Sequence, residues 1–281
     1  GHTFLTFING SGYGVFRSTT GAKDWANING TIHAASGTST STSFPSLNWV
    51  VANPKRANTY AVSSYAAVFT TLDGGANWQQ SAPPTSYGFT GIAFDPNDST
   101  GKPIWTTTGS TSGDHVLFST DQGLHWTVKD GSGASAIPDV PAKTIKVDPG
   151  DSNTVYVGTE LGLYRTQDKG TTWARMGKGL PLVSVTEISV ALDSSAIRIS
   201  TFGRGFWEVN PRGTVDAGVW GKGDMDHNAV IDGFDLVAQA RLMLLTPADP
   251  SYDNEGTLTG NTNQIDGADA DALRVKLGGR P

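Results

Sequence analysis

Thr71-Leu-Asp73-Gly-Gly75-Ala-Asn-Trp78, Ser119-Thr-Asp121-Gln-Gly123-Leu-His-Trp126 and Thr166-Gln-Asp168-Lys-Gly170-Thr-Thr-Trp173 are three copies of one eight-residue pattern, Ser/Thr-x-Asp-x-Gly-x-x-Trp. A fourth, Ser18-Thr-Thr-Gly-Ala-Lys-Asp-Trp25, keeps the Ser and the Trp but has lost the Asp and the Gly. The tryptophans advance by 53, 48 and 47 residues, so the chain repeats a unit of near-constant length. The pattern has the chemistry of a hairpin corner. Asp accepts backbone N–H bonds of its own turn, Gly takes a φ that other residues resist, and Trp folds back to bury a large aromatic face.

Each copy follows a β-rich run: Ala66–Thr71, His115–Ser119 or Leu161–Thr166. A second repeat runs in phase with the first. Asn53-Pro54, Asp95-Pro96 and Asp148-Pro149 each turn the chain into a further strand-like run, Thr59-Tyr-Ala-Val, Pro103-Ile-Trp-Thr or Thr154-Val-Tyr-Val. A period of 40–50 residues built from short strands is that of propeller blades, four strands to a blade.

This pattern resembles the Asp-box (BNR-repeat) β-propellers of the sialidase, xyloglucanase and sortilin-like type, over about residues 3–210. Ile197-Arg-Ile-Ser-Thr-Phe-Gly-Arg-Gly-Phe-Trp-Glu208 is similar to their closing strands. The resemblance implies that Asp73, Asp121 and Asp168 are fold residues at the blade periphery and not catalysts. The fold class expected is therefore mainly β. Residues 44–80, 90–128 and 142–175 read as three full blades. Residues 3–28 read as outer strands alone and 182–209 as inner strands alone, about five blades with ragged ends. The expectation is part of a larger propeller, with further blades upstream or on another chain; the alternative is a closed five-bladed propeller whose two partial blades complete each other.

Beyond Pro211-Arg-Gly the composition changes, which divides the chain into a propeller over 1–212 and a second module over 213–281. Residues 216–281 hold 11 Asp/Glu against 5 Lys/Arg, whereas the preceding 215 residues hold 15 of each. A neutral body with an acidic tail argues against nucleic-acid binding and for cation binding. Asp224, Asp226, Asn228, Asp232 and Asp235 fall at positions 1, 3, 5, 9 and 12 of a twelve-residue loop. Val230 would add a backbone carbonyl at position 7 and Ile231 a buried anchor at position 8. A hard cation such as Ca2+ is held by several oxygens at about 2.3–2.6 Å, and this loop supplies them.

Asp at position 12, followed by the helical pattern Leu236–Leu245, resembles the loop–helix repeat of dockerins, which implies a small α-helical domain. Ile265-Asp266-Gly-Ala-Asp269 repeats Ile231-Asp232-Gly-Phe-Asp235 at an offset of 34. There, positions 1, 3 and 5 are Leu258, Gly260 and Thr262, so a weak or altered second site is expected, using Asn263, Asp266 and Asp269. The dockerin recognition positions are Gly233, Phe234, Gly267 and Ala268, a departure from the usual hydroxyl or charged pairs.

The sequence has no cysteine, which excludes thiol catalysis, disulfides and thiolate metal sites. The five histidines show no zinc-ligand spacing. No apolar run reaches the length of a membrane span. The start, Gly-His-Thr-Phe-Leu-Thr, reads as a mature, trimmed or fragmentary N-terminus.

Chemistry is expected in loops 30–45, 80–90, 107–116, 129–143 and 176–185 and the turn at 202–206. The acids there or nearby are Asp114, Asp139, Glu160 and Glu187, none in a catalytic motif, although glycoside hydrolysis needs two carboxylates. Arg17, Arg165, Arg198 and Arg204 do not form the arginine motif of sialidases. Trp49, Tyr65, Tyr87, Phe89 and Trp105 are candidates for sugar stacking.

Two functions follow. One is an extracellular calcium-binding scaffold, secreted or on a bacterial cell surface, whose partner is a cohesin-like domain, another copy or a polysaccharide. The other is the C-terminal part of a xyloglucanase-like glycoside hydrolase, tethered by its dockerin-like module.

Overall fold

The computed structural model describes residues 3–9, 14–34, 40–81, 88–177, 179–209 and 211. The expected calcium loops, the helical segments expected after them and Tyr87 lie outside these residues. The described residues form five antiparallel sheets in chain order, with one parallel pairing in sheet 2. Sheet 1 has β1 (Phe4–Ile8), β2 (Gly14–Ser18) and β3 (Ala26–Asn27). Next come β4 (Thr31–His33) and β5 (Thr40–Ser41), which join sheet 2: β6 (Leu47–Ala52), β7 (Tyr60–Ser64), β8 (Val68–Thr71) and β9 (Asn77–Ser81). Sheet 3 holds β10 (Phe89–Phe94), β11 (Ile104–Thr108), β12 (Val116–Ser119) and β13 (Thr127–Val128). Sheet 4 holds β14 (Ala142–Asp148), β15 (Asp151–Thr159), β16 (Gly162–Thr166) and β17 (Ala174–Met176). Sheet 5 has β18 (Val185–Val190), β19 (Ile197–Thr201) and β20 (Gly205–Val209). No helix among the described residues is long and apolar enough to cross a membrane.

The inner strands β6, β10, β14 and β18 pack one on the next, and a hydrophobic cluster fills each space between successive sheets. Sheets covered on both faces bury whole strands, and β7, β8 and β11 are buried at every residue. Thr106, Thr107 and Thr108 belong there because threonine fits a pleated strand and its hydroxyl finds a partner within it. Thr106 Oγ1, for example, donates to the Gly91 carbonyl at 2.7 Å.

The repeated octapeptide joins the third strand of a sheet to its fourth. Thr71, Ser119 and Thr166 accept the N–H of Gly75, Gly123 and Gly170 at 2.8–3.1 Å and donate their hydroxyl to the repeat Asp at 2.7–2.8 Å. Each Asp also takes the N–H of the residue before the Trp, at 2.9 Å. Burial pushes these carboxyls upward, but the hydrogen bonds they accept outweigh it. Asp121 and Asp168 are held down to about 2, and Asp73 also below the usual range.

The first copy retains this corner despite its altered sequence. Thr20 Oγ1 takes the Asp24 N–H at 3.0 Å in place of the carboxylate, and Ser18 Oγ takes the Ala22 N–H at 2.9 Å. Ala22 holds φ at 65°, the left-handed conformation that glycine holds in the other three.

The octapeptide tryptophan of each of sheets 2–4 ties its sheet to the one before. Trp78 Nε1 donates to Ile28 O at 2.8 Å, Trp126 Nε1 to Ser81 Oγ at 2.7 Å and Trp173 Nε1 to Lys129 O at 2.7 Å. The acceptor in each case is the residue three positions after the preceding tryptophan. The glycine of the same corner backs onto that acceptor residue. A Cβ on Gly75 would stand 2.5 Å from Ile28 O, and one on Gly170 2.7 Å from Lys129 O.

A second tie runs forward along the inner strands. Each has a bulge after its first residue, at Leu47/Trp49, Phe89/Gly91, Ala142/Thr144 and Val185/Glu187. The extra residue reaches the next sheet: Asn48 Nδ2 donates to Phe89 O at 3.1 Å, and Thr90 Oγ1 to Ala142 O at 2.6 Å.

Segment 30–45, expected to be a loop at the mouth, is in part a hairpin on the outer edge of sheet 2, where β4 pairs in parallel with β9. Gly30, at φ 40°, permits this approach, because a Cβ there would meet the Gly75 carbonyl at 2.0 Å.

Trp78→Phe keeps an aromatic ring but strands the buried Ile28 carbonyl, and should lower urea stability by about 1–3 kcal/mol. Trp25→Phe, with no such acceptor, should stay within about 0.5 kcal/mol of the parent. The depressed carboxylates add stability that is fully present above about pH 4 and is lost as pH falls through about 2. Thermal melts between pH 7 and 2 should show that loss, and Asp121→Asn with Asp168→Asn should flatten it.

Candidate functional site: a cavity between the inner strands

The inner strands β6, β10 and β14 end in Asx-Pro turns. Asn53 Oδ1 accepts the Lys55 N–H, Asp95 Oδ1 the Asn97 N–H and Asp148 Oδ1 the Gly150 N–H, at 2.8–2.9 Å. Pro54, Pro96 and Pro149 follow, each five residues after the bulge, and sheet 5 carries Leu192 at that position. These four residues, with Val51 and Phe94, line a cavity of about 350 Å³. Leu192 is 91% exposed, an apolar side chain held out at the rim. Lys146 and Glu187 supply the charge on the wall and pair with each other at 3.2 Å.

The described residues of the expected loops 80–90, 107–116, 129–143 and 176–185 adjoin the opposite ends of the inner strands. The sequence marks Asn53-Pro54, Asp95-Pro96 and Asp148-Pro149 as turns, and it is their stacking from sheet to sheet that makes them a rim. Leu192 was missed because nothing in Val190-Ala-Leu-Asp-Ser marks the leucine as the counterpart of three prolines.

The candidate acids do not converge. Glu187 alone lines the cavity. Glu160 pairs with Lys143 at 2.9 Å, and Asp139 Oδ1 takes the Gly113 N–H at 3.0 Å while bonding His115 Nε2 at 2.8 Å. The Asp114 carbonyl accepts from Thr108. His115 is buried, and its Nδ1 has no partner among the described residues. Its backbone N–H and that of Val116 donate to Asp130. Burial pushes the Asp130 carboxyl above the usual range, against those bonds, which favour its charge. No group of three or more His, Asp or Glu among the described residues is arranged to hold a metal ion.

The arginines are likewise dispersed over three sheets. Arg17 bonds Asn58, Arg165 donates to Pro211 O, and Arg198 pairs with Glu208. Arg204 lies in the β19–β20 turn, where its carbonyl accepts from Trp207. Of the aromatic candidates, Phe89 and Trp105 are core residues, Trp49 is half-buried and Tyr65 is exposed.

No protein-family model matches the sequence, and no curated protein matches it. Among solved structures, the chain is similar to a GH74 enzyme of Niastella koreensis, with TM-score 0.54 and 17% identity, covering 72% of this chain and 33% of that one. It is also similar to the GH74 xyloglucanase of Xanthomonas campestris, at 0.52 and 17%, over 70% and 33%. YCF48 of Cyanidioschyzon merolae gives 0.52 and 19%, over 75% and 67%. The chain thus spans about a third of the length of these GH74 enzymes. At such identities the likeness concerns the fold alone, and the fold is that of a β-propeller.

Proposed function

We propose that this chain is a non-catalytic Asp-box propeller scaffold that binds a partner at the cavity between its inner strands. The observation that carries the reading is the cavity's chemistry. Its rim is apolar, three prolines and a projecting leucine, and its two charged groups neutralise each other. Apolar walls with one oriented polar pair suit recognition. Glycoside hydrolysis would need a second carboxylate facing Glu187, and the lining supplies none. The fold is shared with xyloglucanases, which keeps the hydrolase reading as the alternative, for a longer protein of which this chain is a part.

The acidic C-terminal module is the second half of the proposal. Asp224, Asp226, Asn228, Val230, Asp232 and Asp235 hold Ca2+, with a weaker site around Asn263, Asp266 and Asp269. Its support is the ligand spacing, together with the charge of a segment whose carboxylates repel one another without a cation. In this reading the protein works outside the cell, where calcium is abundant, and the module tethers it to a protein partner.

Reducing-sugar release from β-glucans and sialosides should stay at background, and turnover on any of them would overturn the scaffold reading. Asp224→Ala with Asp235→Ala should abolish calcium-dependent stabilisation in a melt with and without chelator. An unchanged parent melt under chelation would refute the calcium site.

A further inference from the structure

The cavity at the Asx-Pro rim belongs to the middle of the chain. Its walls come from four successive sheets, and every residue lining it falls between Val51 and Leu192. Hydrogen bonds hold that rim in place before anything binds. Asn97 Nδ2, in the turn of sheet 3, donates to the Asp148 carbonyl of sheet 4 at 2.9 Å. The Asp148 carboxylate takes the Tyr156 hydroxyl at 2.9 Å and the Ser194 hydroxyl from sheet 5. Ser194 N–H in turn donates to Ala191 O at 2.8 Å, closing the turn that carries Leu192. Three turns are thus joined at one buried carboxylate, and a surface already in place binds without the cost of ordering it.

The walls narrow what the cavity can receive. Lys146 and Glu187 neutralise each other, so an ionic ligand finds no unpaired charge to meet. Phe94 is the one aromatic residue of the lining and is only 6% exposed, so no ring face is offered for a sugar to stack on. The volume, about 350 Å³, is at the small end of the roughly 300–1,000 Å³ of ligand pockets. What suits it is a small, neutral and mostly apolar group.

The ion pair specifies the polar part of that group. Among the described residues the two side chains bond only each other, at 3.2 Å, and they are 31% and 43% exposed. The ammonium therefore keeps N–H donors to spare, and the carboxylate keeps an oxygen. A donor and an acceptor side by side match the C=O and N–H that one extended residue presents on a single side, the pair through which antiparallel strands bond.

We propose, resting on the binding role put forward above for this cavity, that its partner is a polypeptide and that it receives one extended, neutral residue of it. The aliphatic side chain of that residue lies against Pro54, Pro96, Pro149 and Leu192. Its C=O accepts from Lys146 and its N–H donates to Glu187.

The probe is the capped tripeptide Ac-Ala-Leu-Ala-NH2, titrated against the full 281-residue chain and followed by methyl and amide NMR. Saturable shifts are expected at Val147, Val190 and Leu192, with none at the octapeptide corners. Serine in place of the peptide's leucine, or N-methylation of that leucine, should each weaken binding at least about tenfold. Leu192→Ser and Glu187→Ala alter side chains in contact with solvent, and each should weaken binding about threefold or more. The peptide variants keep the test decisive if either protein variant folds poorly. No binding, shifts confined to other residues, or equal binding by the serine or N-methyl peptide would overturn the proposal. So would contacts from residues 212–281 to Leu192 in the chain alone, which would show the cavity filled from within. A cello-oligosaccharide that shifts these residues when the peptide does not would overturn the peptide and uphold the cavity as a binding site, so the two readings fail separately.

Discussion

A buried indole must find an acceptor for its N–H, and the architecture follows from where each tryptophan finds one. Trp78, Trp126 and Trp173 reach back to the residue three positions after the tryptophan before. Each tryptophan therefore has two roles, closing its own corner and setting the place where the next one docks. Glycine in the corner serves the same contact, since it lets the corner's backbone come up against the acceptor residue. The Asp sits at the outer surface and fixes the turn, so its low pKa comes from a conformational role and is no sign of catalysis.

The inner ends are held by a different device, the bulge. A strand that pairs regularly with its neighbour has no side chain to spare for the next sheet. One extra residue frees Asn48 and Thr90 to cross over. Sheet 4 carries Lys143 at this position and spends it on Glu160. Sheet 5 carries Thr186, whose hydroxyl turns to Ser200 within its own sheet. Arg198 and Glu208 pair on the same outward face, which also carries the exposed Phe206.

Much of this could be read from the residues. The octapeptide and Asx-Pro repeats gave the number of sheets and nearly their limits, because corners and turns require particular side chains at fixed spacing. They also led one to expect fewer strands in sheets 1 and 5, and among the described residues each of these has three. The cavity was not legible, since its rim is made by register between strands over 40 residues apart, and proline there looks like any turn residue. The first copy has lost the Asp and the Gly, and the structure shows what replaces them: Thr20 supplies the accepting oxygen and Ala22 takes the same φ. Geometry is conserved within the molecule where residue type is not.

That last point bears on where function can reside. Most residues that repeat hold one sheet to the next; the Asx-Pro prolines are the exception, since they line the cavity rim. The informative positions are those where one sheet departs from the rest: Leu192 for proline at the rim, the Lys146–Glu187 pair in the cavity and Ala22 for glycine. An exposed leucine in place of a ring costs the rim a rigid turn and leaves apolar area in water, a cost that folding alone does not require. An alanine at positive φ likewise costs about 1–2 kcal/mol that glycine would not. On the proposed reading, the first of these costs is offset when a partner covers Leu192 at the cavity.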